Sequence, residues 1–572
     1  MRWRNFPRLD FDVRRAGEAS RIAAQCERYQ YRRPSDNPLY PVAAAARYDR
    51  LRDSFGPSWA VPFLPAFGRA IKKRVVGRLT QRLSKRPSFD AAVEAHRSFF
   101  GGRSREPDYV ARLNDDGQFG FNRIGGVNPT LIARVRSRAE LVERMPGLDD
   151  LGFARAIGDD GRSLAQEIEE GRLFLLDYSI LARALETSDG RCSRWRRTYL
   201  PAPVVVLCER PGVLRHCDLV PVAITIDQPG ARPPNPMYLR DATNPRGSAG
   251  WRIAKYFVEV ADHCHHMAVG HLSCAHFIME SVAMSTRRML LPDHPLRVLL
   301  ETHTRFTLPV NEVAFRNFID PSQIYARFYA GELTETAAIA RRARSERDFL
   351  DLELERDLEA RGVSEALREY PYRDDARLFS APALAFTRAF VETHYESDAA
   401  VQTDRQLRAW LGDLVDPEAG NLGRMHPGPV EDRDALAQVL ARILFIAGPG
   451  HASHHFAEMH YCRFAPMYPG AAWGPPPATP QEATEDYLAS LFPPLDVAGE
   501  HFMYSDFGDY RFDTFGHYRD RRVLSTPRLR EAGLAFERAM REAEQTIERR
   551  NAIRSLPYEI LLPSKVPNVI NF

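Results

Sequence analysis

The stretch that most constrains this chain is Trp251 to Glu280, WRIAKYFVEVADHCHHMAVGHLSCAHFIME, which sets five of the seventeen histidines inside an apolar, helix-forming run. Imidazole is costly to bury without a partner, so several along one helix call for an explanation. His266 to His271 and His271 to His276 are both five-residue steps. On a regular α-helix that step turns by roughly 500°, leaving the two side chains about 140° apart and unable to grip one ion. A π-turn, with its i to i+5 repeat, would bring His271 and His276 onto one face, and such bulges favour functional sites. The plainer reading is a helix with one histidine face in water and stray histidines in a core. On these residues alone both readings stand.

A second histidine pair lies far along the chain. Ala435 to His460, ALAQVLARILFIAGPGHASHHFAEMH, reads as a long helix interrupted by GPG, and in it His451 and His455 stand four apart on one face. The chain ends in LPYEILLPSKVPNVINF, with no charge after Lys565 except the terminal carboxylate of Phe572. Neutral imidazoles with one hard carboxylate suit a first-row metal, iron where coordination positions stay open. A carboxylate buried with an apolar tail needs a cation beside it, and a metal supplies one. The alternative for the tail is docking of Val569 and Phe572 into a groove with the carboxylate in water.

Composition excludes several other classes. Seven cysteines without a CxxC pair make neither a disulfide framework nor a thiolate zinc site, and suit a reducing compartment. A net charge of +3 is too mild to argue for nucleic acid. The N-terminus lacks the apolar core of a secretory signal, and no run approaches eighteen apolar residues, so the expectation is a cytoplasmic protein without a membrane span. One segment qualifies this. Residues 61–86, VPFLPAFGRAIKKRVVGRLTQRLSKR, carry no acid and repeat Ile71, Val75, Leu79 and Leu83 among basic side chains, a pattern that lies on an anionic membrane surface or packs on its own protein.

The rest reads as mainly helical with a few short strands. Residues 1–110 read as helices broken by proline clusters, an N-terminal helical extension and candidate lid packed on a domain spanning 111–572. DDGQFGFNRIGGVNP, from Asp115, reads as a Gly- and Asn-rich loop, and no phosphate cradle is present. GRLFLLDY, VVVLCE and LVPVAITI read as buried strands around a Pro211-Gly212 turn. Ala337 to Leu367 reads as one solvent-faced helix with i,i+4 pairs, 413–434 as a loop, 466–480 as a proline-rich loop and 526–551 as a charged helix.

Taken together, Trp251 to Ala314, with LPDHPLRVLLETHTRFTLPVNEVA after the histidine run, resembles the signature of lipoxygenases. The resemblance extends through DGQFGFNRIGGVNP, GRLFLLDY, PVAI, YPYRDD, HASHHF and the PYxxLxPSxxPN run before the end, over roughly residues 110 to 572. It implies one non-haem iron, or manganese, held by His271, His276, His451, His455 and the carboxylate of Phe572. It implies a large helical catalytic domain, here without the β-sandwich lipid-binding domain of plant and animal members, as in bacterial ones. It implies dioxygenation of a polyunsaturated fatty acid bearing a cis,cis-1,4-pentadiene, begun by hydrogen abstraction by a ferric hydroxide, with fatty acid and O2 as partners of a monomer.

Leu272, Phe277 and Phe318 are expected as pocket walls, and Ala314, at the family's stereochemistry position, points to an S product. Besides the terminal Phe572, which is usually Ile in the family, four internal positions depart from it. Met267 and Glu458 replace glutamines of a network between metal and substrate cavity, and Phe315 and Phe318 replace an Arg and a Leu. Second-shell bonds orient ligands and set redox behaviour, so the first two changes bear on the tuning of the metal. Glu280 is expected to fix the histidine helix through a buried hydrogen bond, and His263, His265 and His266 to serve structural roles. The competing expectations are an isomerase of fatty-acid hydroperoxides on the same fold, and a metal-stabilised lipid-binding protein without turnover.

Overall fold

The computed structural model describes residues 11–32, 45–54, 88–100, 105–184, 198–228, 236–244, 247–319, 327–331 and 333–570. The candidate membrane-surface segment 61–86 and the terminal Phe572 lie outside the described residues. Near the N-terminus, α1 (Phe11–Arg28) is followed by a short antiparallel pair, β1 (Gln30–Tyr31) with β2 (Ala45–Arg47), and then by α2 (Phe89–Arg97). This strand pair differs from the helical expectation, and the segment is anchored by contacts to the rest of the protein. Gln25 Nε2 donates to the Arg288 and Leu290 carbonyls, Tyr31 bonds Ser285, and the Ala45 amide donates to Glu280 at 2.5 Å.

The segment expected as a Gly- and Asn-rich loop is a helix, α3 (Asp116–Gly125), capped by Asp115 and buried along its whole length. Its polar residues are spent on tertiary partners that local propensity does not reveal. Asn122 and Arg123 bind Glu259 at 3.0 and 2.5 Å, and Asp116 takes Lys255, Arg240 and Trp251.

Five strands follow in one antiparallel sheet of order β3-β4-β5-β6-β7. They are β3 (Ala133–Arg134), β4 (Leu173–Asp177), β5 (Val204–Glu209), β6 (Leu219–Thr225) and β7 (Met237–Leu239), so the three expected strands form its centre. Both faces are covered, which explains their unbroken apolar runs. Phe174, Leu176, Val205 and Leu207 face the main core, while Leu173, Leu175, Val204 and Val206 face a second cluster with Leu141, Phe153 and Leu164.

Helices make up the rest. α4 (Ala249–His265) starts at a Ser248 cap and runs without a break through a π-helix, His266–His276, into α5 (Phe277–Met289). After α6 (Pro295–His303) and α7 (Thr307–Ile319) comes α8 (Leu333–Ser345), which ends well short of the single helix expected to Leu367. Beyond it Asp348 caps a short 3-10 turn, and α9 (Leu354–Ala360) stops before Gly362, whose φ of 69° no continuing helix allows. Nor does α8 face solvent throughout: Ile339, Ala340 and Ala343 are buried, and the Ala340 carbonyl accepts from Ser273 of the π-helix at 2.9 Å.

Next come α10 (Pro371–His394), α11 (Arg433–Phe445), a second π-turn at Ile446–Gly450, α12 (His451–Tyr461), α13 (Leu495–Gly508) and α14 (Pro527–Ile553). The joined run Arg433–Tyr461 is, against expectation, long and apolar enough to cross a bilayer. Since 83% of its apolar window is buried inside the protein, it serves here as a core helix. The charged helix expected at the C-terminal end is α14, capped by Thr526 with Pro527 at its first position.

Asp375 of α10 ties the two longest helices together. It is fully buried and accepts from Arg550 of α14 at 2.8 Å and from Arg554 at 2.7 and 2.9 Å. Removing it strands the buried Arg554 guanidinium. Asp375→Ala is therefore expected to cost about 3–5 kcal/mol, read as a lowered midpoint in urea unfolding; an unchanged midpoint would refute this role.

Candidate metal centre

The two π-turns place the histidines. In His266–His276 the chain bonds at the wider repeat, the Phe277 amide reaching the Leu272 carbonyl five residues back. His271 and His276, separated on an α-helix, thereby share a face, as the sequence predicted. Their Nε2 atoms lie 3.0 Å apart. In the second turn Pro449 has no amide to give the preceding helix, so the helix widens there and His451 enters at the start of α12. His451 Nε2 stands 3.2 Å from both His271 Nε2 and His276 Nε2.

Close approach between the helices rests on glycine. A Cβ on Gly270 would sit 2.5 Å from His454 Cε1, so no larger residue fits beside His271 without pushing α12 away. A Cβ on Gly448 would strike the Phe515 ring at 2.4 Å and come within 3.1 Å of the Pro567 carbonyl, which brings the C-terminal tail against the turn preceding His451.

Three nitrogens 3.0–3.2 Å apart in a triangle would be an awkward arrangement for imidazoles alone, because no Nε2 can accept from another unless one carries a proton. It is the separation expected of ligands on one cation: two nitrogens each ~2.1 Å from an ion, at a right angle, stand about 3 Å apart. The neighbours also settle which nitrogen is free to bind. His276 Nδ1 donates to Asn311 Oδ1 at 2.8 Å, since the Asn311 amide nitrogen is committed to the His276 carbonyl and Glu280. Nε2 of His276 is therefore the lone-pair nitrogen. Burial pushes the imidazole of His276 down to about 4, and those of His271 and His451 well below the usual value, the neighbouring histidines adding to the effect. All three are neutral, the form that binds metal.

His455 joins through a different nitrogen. Its Nε2 donates to the Gly508 carbonyl at 2.9 Å, leaving the lone pair on Nδ1, and one of its ring nitrogens lies within 4.8 Å of donors on His271 and His451. The buried set of four histidines thus fits a first-row cation. Phe572 lies outside the described residues, but the tail leading to it is inside the protein. Asn568 accepts from the Gly516 amide, donates to the Thr514 and His517 carbonyls, and offers its own carbonyl to His303 Nδ1 at 2.8 Å. Val569 and Ile570 are buried.

Glu280 holds the histidine helix as expected. It accepts from Asn311 at 2.9 Å and from the Ala45 amide, and burial raises its carboxyl to about 7. Asn311, the residue between Glu280 and His276, escaped the sequence reading. Its only signal was a lone amide within the apolar run LPVNEVA.

Glu458 sits in a cage of imidazoles. His266 Nε2 lies at 3.3 Å, His263 Nε2 and His271 Nδ1 at 3.7 Å, and Tyr329 donates its hydroxyl at 2.6 Å. Burial alone would raise its carboxyl. The hydrogen bonds and charges of His263 and His266 outweigh that and hold it well below the usual carboxylate range. His265 instead bonds Asn128 at 3.1 Å.

Met267, Leu272 and Phe277 pack in one apolar cluster with Phe328 and Tyr329. Ala314 lies on α7, partly exposed, and the side chain of Phe318 falls outside the described residues.

Known proteins resemble this chain over most of its length. A lipoxygenase family model matches residues 104–492. The linoleate 9/13-lipoxygenase of Pseudomonas aeruginosa is 32% identical over 491 residues, covering 82% of this chain and 68% of that protein. The hydroperoxide isomerase ALOXE3 of Rattus norvegicus is 29% identical over 507 residues, covering 86% and 67%. A crystal structure of coral 8R-lipoxygenase superposes with a TM-score of 0.84 at 22% identity, covering 100% of this chain and 82% of that one.

Two outcomes test this geometry. Asn311→Ala frees the His276 ring and is expected to weaken metal binding ~10–100-fold, read by competition with a chelator while the circular dichroism stays unchanged. Retained affinity would remove Asn311 from the centre. The second concerns the tail. His303 donates from Nδ1 to the Asn568 carbonyl and faces the Tyr518 hydroxyl with Nε2, and burial lowers its imidazole to about 4 from 6.5. Between those two values the unfolded chain binds the proton and the folded chain does not, so stability falls as pH drops from 6.5 towards 4. His303→Gln should flatten this part of the pH dependence of the unfolding midpoint; an unaltered slope would show that His303 does not contribute.

Proposed function

The chain belongs to the lipoxygenase family, the oxidoreductases that add O2 to fatty acids, and from that premise we propose that it converts polyunsaturated fatty acids with a cis,cis-1,4-pentadiene into hydroperoxides. The observation that carries this reading is the triangle of His271, His276 and His451 Nε2 atoms, buried and neutral, beside an apolar cluster. We propose iron as the ion, held by these three with His455 and the Phe572 carboxylate. When bound, it supplies a one-electron oxidant that can accept a bis-allylic hydrogen.

The protein's own residues do the rest. Asn311 and the Gly508 carbonyl fix the tautomers of His276 and His455, so each presents a lone pair without rearranging during turnover. Met267, Leu272 and Phe277 make an apolar wall that suits an acyl chain and keeps water from a radical. Ala314 is the proposed determinant of S configuration. We further read the protein as a cytoplasmic monomer that reaches substrate at a membrane surface through residues 61–86.

One pair of residues favours a second reading. Glu458 places a buried carboxylate against His271 Nδ1 at 3.7 Å, and Met267 offers no hydrogen bond in the same shell. An anion at that nitrogen makes the ligand more electron-donating, which disfavours a strong oxidant and suits rearrangement of hydroperoxides, the activity named for the rat relative.

Incubating the iron-loaded enzyme with linoleate under air distinguishes the two. Oxygen uptake with rising conjugated-diene absorbance, abolished in His276→Ala, is expected. Consumption of added hydroperoxide without oxygen uptake would replace dioxygenation with isomerisation. Chiral analysis of the product should give S from the wild type and a shift towards R from Ala314→Gly; identical configurations would dismiss Ala314 as the determinant.

A further inference from the structure

Close to the four histidines, three other donors converge that the proposed reaction does not use. His263 is on the last turn of α4, Cys462 follows α12, and His501 is on α13. Their exposures are 1%, 1% and 4%, and their donor atoms all lie within 4.8 Å of one another. We propose that His263, Cys462 and His501 form a second metal site, separate from the histidine triangle, which takes a divalent cation of the zinc class in tetrahedral S/N coordination.

Three observations carry this. First, Cys462 Sγ stands 3.5 Å from His263 Nε2. Two ligands on one zinc, with bonds of ~2.3 Å to sulfur and ~2.05 Å to nitrogen at a tetrahedral angle, are about 3.5 Å apart. Second, His501 Nε2 is buried without a hydrogen-bond partner. Its ring stacks at 4.7 Å on Phe328 and 5.4 Å on His263, and nothing polar repays the burial of Nε2. Closing its nitrogen onto the same ion asks for a movement of roughly 1 Å, given the ligand spacing of a tetrahedral site.

Third, a buried anion adjoins the site. Glu458 Oε1 lies 3.7 Å from His263 Nε2, and among the described residues no Lys or Arg pairs with this carboxylate. A divalent ion between them would neutralise it, with Glu458 as fourth donor closing the coordination sphere.

The donor types select the ion. Hard cations such as magnesium and calcium take oxygen ligands, whereas a thiolate with two imidazoles suits zinc. Binding releases the Cys462 thiol proton to solvent, one per ion, with no change of oxidation state. A closed site of this kind is structural. It would staple α4, α12 and α13 together next to the reacting centre, and it stands or falls independently of which metal the histidine triangle holds.

Cobalt(II) reports on both sites at once, because thiolate ligation gives a charge-transfer band that a centre of histidines and a carboxylate cannot. The full-length apoprotein, loaded with cobalt and freed of excess by gel filtration, is expected to hold two equivalents per chain and to show that band. Cys462→Ser and His501→Gln should each retain one equivalent, and Cys462→Ser should lose the band. One equivalent in the wild type without a thiolate band would overturn the proposal, as would a band that survives in Cys462→Ser. Should neither variant fold, the wild-type stoichiometry and spectrum decide alone.

Discussion

The centre of this protein depends on a helix that gives up its ordinary hydrogen-bond repeat. Between His266 and His276 the chain adopts the wider π repeat, as in the Phe277 amide bonding the Leu272 carbonyl, which turns a five-residue spacing into a shared face. Side-chain contacts hold the widened turn against its surroundings. Ser273 Oγ donates to the Ala268 carbonyl five residues back and also to the Ala340 carbonyl of the neighbouring helix. The same geometry recurs at Ile446–Gly450, where Pro449 enforces it by lacking an amide. Two irregular turns, with Gly270 letting the first helix approach His454 of α12, bring three nitrogens to a common point that no pair of regular helices would offer.

Such a centre is costly, and the buried polar contacts around it show what holds it. Helix α3 is almost wholly buried yet carries Gln118, Asn122 and Arg123. These bind to one another and to Glu259 on the helix leading into the π-turn. Arg123 also faces Asp262, which accepts from Tyr178 and Asn128. Burying these charges gains little stability by itself, but each fixes the rotation of α4 about its axis, and that rotation decides where His271 points. Removing one partner would leave another charged group stranded, so the network works only when complete.

The sequence was most legible where chemistry repeats over short distances. The five-residue histidine step called for a π-turn and received one. The runs GRLFLLDY, VVVLCE and LVPVAITI read as buried strands, and β4, β5 and β6 are such strands. It was least legible where residues are paid for by distant partners. Gly117, Gly120 and Gly125 in α3, with Gly126 just beyond it, imitate a loop until the close packing around them is known: a Cβ on Gly120 would lie 2.1 Å from the Leu219 carbonyl. The break after Ser345 is set by capping at Asp348, which charge periodicity does not record. His276 was legible and Asn311 was not, because a ligand advertises itself by residue type whereas the group orienting it can be any amide in reach.

That asymmetry bears on Glu458, where the histidine cage and the His263–Cys462–His501 cluster meet. One of its oxygens faces His266, whose ring lies against His271 at 5.5 Å, and the other faces His263 and Tyr329. A glutamine there could donate as well as accept; a carboxylate only accepts, so every neighbour must turn a proton or a cation towards it. Tyr329 has one proton to give. The other contacts fall to His263 and His266, so a cation bound at His263 would lie against the same carboxylate that faces His266. The single added charge at position 458 therefore couples the electron density at His271 to whatever occupies the neighbouring cluster, through imidazoles that touch both.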